Sequence, residues 1–127
     1  MLDTKKGQYL EYLLAQDIPI LESGIKGGFD LSLTTYNELK KKFNTFQIIH
    51  LHSFSPIRTM AAKASKAKVV YTIHGLSKDV RKENIIKYAL REAIKKNWLN
   101  KVDYFIANSE STLSKAKLHY GLKKTRN

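Results

Sequence analysis

Three short runs of the chain begin apolar and end polar. They are Gln47-Ile48-Ile49-His50-Leu51-His52-Ser53, Val69-Val70-Tyr71-Thr72-Ile73-His74-Gly75 and Tyr104-Phe105-Ile106-Ala107-Asn108-Ser109-Glu110. Their length and β-branched or aromatic content predict buried strands over 47–51, 69–73 and 104–107. The second run has the composition of a strand covered on both faces. Ile18-Pro19-Ile20-Leu21 predicts a fourth, short strand, whose proline suits an edge or a strand start.

Helical spacing recurs between these runs. Residues 7–16 carry Tyr9, Leu10, Leu13 and Leu14 on one stripe. Leu33, Tyr36, Leu39 and Phe43 form another, with Lys40, Lys41 and Lys42 mostly off it. Ser55-Pro56 is a helix-start signature, and Ile57, Met60, Ala61 and Ala64 make the buried face behind it. The longest helix is predicted over 83–100, with Ile86, Leu90, Ala93, Ile94 and Trp98 inward. Lys87, Arg91, Glu92, Lys95 and Lys96 then mostly face water. Ser109 or Ser111 caps a last helix bearing Leu113, Ala116 and Tyr120, and Gly121 stops it. Residues 23–30, with three glycines, form a loop, and 76–83 form an irregular connection.

The resulting order, α-β-α-β-α-β-α-β-α, predicts an α/β fold with a parallel sheet and helices on its faces. It opens on a helix with no strand before it. In open parallel sheets, ligands bind outside the carboxyl ends of the strands. The polar ends of the three runs stand at those positions.

Composition narrows the function classes. The 127 residues make one domain, and 43% hydrophobic content is ordinary for a globular chain. No stretch approaches the ~20 apolar residues of a membrane span. Met1-Leu2-Asp3-Thr4-Lys5-Lys6 leads into no apolar core, so no signal peptide is expected. Cysteine is absent, which excludes disulfides and thiolate metal sites and fits a cytoplasmic protein. The formal net charge is +12, but 19 of the 23 basic residues are lysine. Arginine is the usual reader of phosphates and bases, and no nucleic-acid-reading motif is present, so no nucleic-acid partner is expected. The lysines read as solvated helix faces, with anionic lipid or phosphorylated substrates as the functional alternative.

His74-Gly75 is the first candidate site. The imidazole stands just past a strand end and can donate to or accept from a sugar hydroxyl. The glycine lacks a Cβ, so a ligand or backbone can come close. The alternative is a capping histidine and a turn glycine. His50 and His52 are two apart on a strand and share a face. That spacing could serve two metal ligands, but a zinc site needs a third ligand and oriented partners, and no carboxylate lies nearby in sequence. A polar pair, with His52 nearer the crevice, stands beside a structural role. For Asn108-Ser109-Glu110, capping by Ser109 and a dipole-favoured Glu110 explain the motif. The functional alternative has these side chains or the helix-start N–H groups facing a ligand. Gly27-Gly28 reads as a turn, since no G-x-G-x-x-G joins a strand to a helix there. No nucleophile elbow, P-loop or paired-carboxylate signature is present.

Together the three strand ends resemble the N-terminal domain of GT-B glycosyltransferases, specifically family 4 of the retaining enzymes. The family's "DIVHxHS" is similar to residues 47–53, its "VVxTxHG" to 69–75 and its "aDxxIaxSE" to 102–110. The resemblance runs from about Gly7 to Gly121. It implies a Rossmann-like, doubly wound parallel sheet of about four strands, facing a second domain across a cleft. The implied reaction moves a sugar from a nucleotide-sugar to a sugar or lipid-linked acceptor, with retention. It needs no metal, and the nucleotide-sugar is a substrate rather than a cofactor. By the same resemblance His74 is the catalytic residue that contacts the transferred sugar, and Gly75 permits that approach. His52, Ser53, Asn108, Ser109 and Glu110 bind substrate on the acceptor side.

The family's domain begins with a strand, a glycine-rich loop and a helix, and nothing before Gly7 matches them. Residues 1–127 are therefore expected to form a single, partial GT-B N-terminal domain, a fragment, truncated product or half of a split enzyme. Alone it is expected to be inactive, with a partner chain supplying the missing domain. The rival reading is a non-catalytic basic α/β module that binds anionic lipid or a protein. A different GT-B-like enzyme such as a sugar epimerase, and a metallohydrolase using His50, His52 and His74, are further alternatives. The expected location is cytoplasmic, with peripheral contact to an anionic membrane as one option.

Overall fold

The computed structural model describes residues 2–3, 10–17, 21–23, 25, 32–75 and 85–122. The elements in order are β1 (Leu2–Asp3), α1 (Leu10–Ala15), β2 (Leu21–Glu22), α2 (Leu33–Phe43) and β3 (Ile48–Leu51). There follow α3 (Pro56–Lys63), β4 (Lys68–Ile73), α4 (Ile85–Leu99), β5 (Tyr104–Ala107) and α5 (Glu110–Tyr120). Most of Ser23 to Asp30, Gly27-Gly28 included, and the connection over 76–83 lie outside the described residues.

Strands β3, β4 and β5 form a parallel sheet in that order. Parallel neighbours need crossover connections, and α3 and α4 supply them. Both crossovers step the same way across the sheet, so the right-handed rule puts both helices on one face. Two differences from the sequence pattern follow. A two-residue strand precedes α1 and pairs in parallel with β2, Leu2 opposite Leu21, so the chain does not open on a helix. The described strands also number five in two ladders, where the pattern predicts four.

The core lies under one face of the sheet. Ile49, Leu51, Val69, Tyr71, Ile73 and Phe105 alternate onto that face and are buried. The opposite face carries Ile48, Tyr104 and Ile106 at 64%, 40% and 49% exposure. On β4, the strand expected to be covered on both faces, Thr72 of the opposite face is buried and Val70 partly so, whereas β3 and β5 leave that face exposed. Apolar composition reports a strand's affinity for burial; the neighbouring elements determine which side is covered.

Helices α2 and α3 pack on each other, and Leu39, Phe43, Ile57, Ala61 and Ala62 of the two helices are nearly or fully buried in one apolar cluster. Each large side chain there contributes ~1.5–3 kcal/mol by leaving water. Ser32 caps α2 by accepting the Thr35 N–H. Leu33, the first residue of the predicted stripe, is exposed because it lies in the first turn, outside this contact. On α3, Ala62 is buried and Ala64 exposed, since Ala64 is the C-cap where the chain leaves the helix. Pro56 opens α3 as expected, but the buried Ser55 hydroxyl makes no capping bond. Ser109 caps α5, and Gly121 ends it in the left-handed region at φ 60°.

The largest departure concerns α4. Ile86 and Leu90, predicted inward, are 77% and 59% exposed, and Ala93 is exposed too. Ile94 and Trp98 are only partly covered. Tyr88, Glu92, Lys95 and Leu99, at the i, i+4, i+7, i+11 spacing of one helix face, are covered as well, the first three partly, like Ile94 and Trp98. Leu99 alone in this row is fully buried. The polar members have partners inside: the Tyr120 hydroxyl donates to Glu92 Oε2 at 3.0 Å, and Lys95 Nζ sits 5.0 Å from the Tyr120 ring centre. Hydrophobic periodicity assigns the apolar stripe to the interior by default and cannot see such a network.

Candidate functional site

The carboxyl ends of β3, β4 and β5 lie side by side, as register pairing requires, and each places its polar tail at one end of the sheet. His52 Nδ1 and His74 Nε2 are 3.4 Å apart with the rings stacked, an arrangement that uses one ring N–H and one ring lone pair. His50 lies beside His52, ring centres 4.1 Å apart, and its Nε2 meets the Thr72 hydroxyl at 2.6 Å. Burial lowers the His50 pKa below its ordinary value, and the neighbouring His52 and His74 lower it further. His50 is thus bound into the sheet surface, and His52 and His74 carry the cluster toward the strand ends.

Gly75 needs no unusual backbone, and a Cβ built on it meets nothing within 4 Å. Among the described residues no backbone claims that space, so the freedom it creates is open to a ligand. Asn108 Nδ2 donates to the His74 carbonyl oxygen at 3.0 Å, fastening the end of β5 to the end of β4. Asn108 therefore positions the His74 backbone. The Ser53 hydroxyl accepts from Arg58 at 3.3 Å. The Ser109 hydroxyl accepts the Thr112 N–H and donates to Thr112 Oγ1, the capping role. Glu110 is the exposed first residue of α5, where the helix dipole favours a carboxylate.

A cavity of about 130 Å3 opens at the end of β4. Of the sequence-predicted residues, His52, His74 and Gly75 line it, whereas Ser53, Asn108, Ser109 and Glu110 do not. Lys95, Tyr71 and Tyr120 line it too. Burial, then the Glu92 charge, pushes the Tyr71 hydroxyl up to about 12, and the same causes raise that of Tyr120. Both phenols stay protonated at neutral pH. Sequence reasoning missed Lys95 because the helical stripe assigned it to water. The three histidines do gather, yet among the described residues no group of three His, Cys, Asp or Glu side chains is arranged to hold a metal ion.

One further motif residue has a structural part. Asp103 donates its N–H to the Val69 carbonyl, while its Oδ2 accepts the Val69 N–H and the Lys63 ammonium, each at 2.9 Å. Burial alone would raise its pKa, but these hydrogen bonds and the charges of Lys63 and Lys68 hold it below the ordinary value.

Fold and site define a Rossmann-like α/β domain with its polar groups gathered at the carboxyl ends of parallel strands, the usual place for a small-molecule site. The family model for Glycosyltransferase Family 4 matches residues 8–126, and the chain belongs to that family. No curated protein and no solved structure matches it significantly. No described helix is long and apolar enough to cross a membrane.

Proposed function

We propose that residues 1–127 are the acceptor-side domain of a retaining GT-B glycosyltransferase that uses a nucleotide-sugar donor and a sugar or lipid-linked acceptor. The observation that carries this reading is the meeting of His52 and His74 at adjacent strand ends, beside the open space at Gly75, in a family 4 chain. His74 contacts the transferred sugar and Gly75 admits it. His52 faces the acceptor. Ser53, Asn108, Ser109 and Glu110 stand around the same sheet end; Asn108 acts through the His74 carbonyl and Ser109 through the α5 cap. Catalysis comes from positioning and from electrostatic stabilisation of the leaving phosphate, with the donor held by a second domain or partner chain. The isolated chain binds sugar without transferring it.

Two measurements test this. Sugar acceptors should shift the imidazole NMR signals of His52 and His74 in the isolated chain, and H74A should abolish the effect while leaving circular dichroism unchanged. An absence of shifts across a broad sugar panel defeats the reading. Turnover of a nucleotide-sugar by the chain alone defeats the division between two domains.

A second reading has its own observation. Ile85, Ile86 and Leu90 are exposed on α4 of a chain with net charge +12, the chemistry of a surface that rests on anionic lipid at a membrane periphery in the cytoplasm. Salt-sensitive sedimentation with anionic liposomes, lost in a doubly polar Ile86/Leu90 variant and indifferent to sugars, would favour it.

A further inference from the structure

Helix α4 leaves Ile86 and Leu90 in water and turns Glu92 and Lys95 inward. Exposing large apolar side chains while half-burying an ammonium is unfavourable on both counts, so the inward row needs a compensating partner. Glu92 has one: its carboxylate accepts from the Tyr120 hydroxyl at 3.0 Å and meets His119 Nε2 at 3.2 Å, with Arg91 Nε at 3.9 Å. Lys95 does not. Its ammonium lies 5.0 Å from the Tyr120 ring centre and has no hydrogen-bond or ion-pair partner among the described residues. Glu92 acts on it only at a distance, and Arg91 opposes that pull.

The same lysine lines the cavity at the end of β4, together with His52 and His74. Three residues with nitrogen-bearing side chains thus line a space of about 130 Å3, room for several water-sized groups. Among the described residues no carboxylate lines it. An ammonium and hydrogen-bonding imidazoles, with no acid among the described lining residues, suit a small tetrahedral oxyanion, which lysine grips as a point charge.

We infer that this cavity is a phosphate subsite with Lys95 as its anchor, and that the sugar substrate admitted beside Gly75 carries a phosphate monoester. The inference rests on the sugar-transfer reading for the sugar and stands apart from it for the phosphate. Of the His52–His74 pair, the imidazole that accepts the ring-to-ring bond keeps its own N–H to donate to a remaining oxygen, and the other donates only when protonated. The ring of Tyr120 holds the ammonium from behind, and the Glu92–Tyr120 bond fixes that ring.

The test is direct binding to the full chain at constant ionic strength, followed by the imidazole signals of His52 and His74. Three probes are used: inorganic phosphate, glucose 6-phosphate and glucose. Inorganic phosphate should bind and shift both signals. K95Q should weaken it at least tenfold, K95R should retain it within a few-fold, and K96Q, which removes an exposed charge from the same helix, should leave it within twofold. Equal losses in K95Q and K96Q would mean a diffuse charge effect and overturn the subsite, as would absence of phosphate shifts in the wild-type chain, a result that holds even if K95Q misfolds. Glucose 6-phosphate binding more tightly than either inorganic phosphate or glucose supports the sugar-phosphate substrate. Equal affinity for the two phosphates overturns that substrate. Failure of all sugars to bind, with phosphate binding intact, counts against sugar transfer and not against the subsite.

Discussion

Replacing Asp103 should be the most informative change to the fold. Its Oδ2 is the acceptor for the Val69 N–H, and Val69 is wholly buried. Asp103→Ala leaves that donor without a partner, which costs ~1–3 kcal/mol. It also frees the Lys63 ammonium from a partly exposed ion pair worth ~0.2–1 kcal/mol. The expected loss is about 1–4 kcal/mol, a large share of the stability of a domain this size. Asp103→Asn keeps an oxygen for the Val69 N–H and removes only the charge, so its loss should stay near ~1 kcal/mol. Urea unfolding followed by circular dichroism separates the two. The pH dependence adds a sign. The folded carboxyl titrates below its ordinary 3.8, so its charge-dependent contribution is present above that value and is lost as pH falls toward the folded pKa. The wild-type advantage over Asp103→Asn at neutral pH should therefore close in acid. Equal midpoints for the alanine and asparagine variants, or a wild-type advantage that persists undiminished in acid, would refute the reasoning.

Three other expectations can be checked with the same protein. Leu99→Ala should cost ~2–5 kcal/mol, as for a large core side chain, while Ile86→Gln and Leu90→Gln should stay within ~0.5 kcal/mol; the reverse order in urea would show that α4 presents its apolar stripe to the core. Gly75→Ala should leave stability within ~0.5 kcal/mol, because its Cβ meets nothing, yet weaken sugar-induced shifts at His74; a destabilised fold with unchanged sugar binding contradicts this. By NMR titration His50 should hold its proton only at lower pH than an ordinary histidine at 6.5. Because its folded pKa is lowered, stability should decline as pH falls through 6.5 toward the folded value, and a His50 titrating above 6.5 would contradict the packing described.

Much of this molecule is legible in its residues. The three apolar runs, their helical intervals, the Ser109 cap and the Gly121 stop can be read from side-chain chemistry acting over a few residues. So can the gathering of His52 and His74, because parallel strands bring their carboxyl ends to one side whenever they pair in sequence order. Other features depend on neighbours distant in the chain. Asn108 is bound to the His74 carbonyl, 34 residues away, and Asp103 to the Val69 N–H at the same separation. Neither link has a local signature. The open face of the sheet and the orientation of α4 are also of this kind. Periodicity identifies an apolar stripe and a polar stripe on residues 85–99, but only the positions of Tyr71 and Tyr120 determine that Glu92 and Lys95 of the polar one are drawn inward. The sequence by itself determined the elements, the family and the end of the sheet where chemistry gathers, since these follow from local propensity and strand alternation. Tertiary structure alone decided that Lys95 joins the histidines around one cavity, because burial of an ammonium depends on what surrounds it in space.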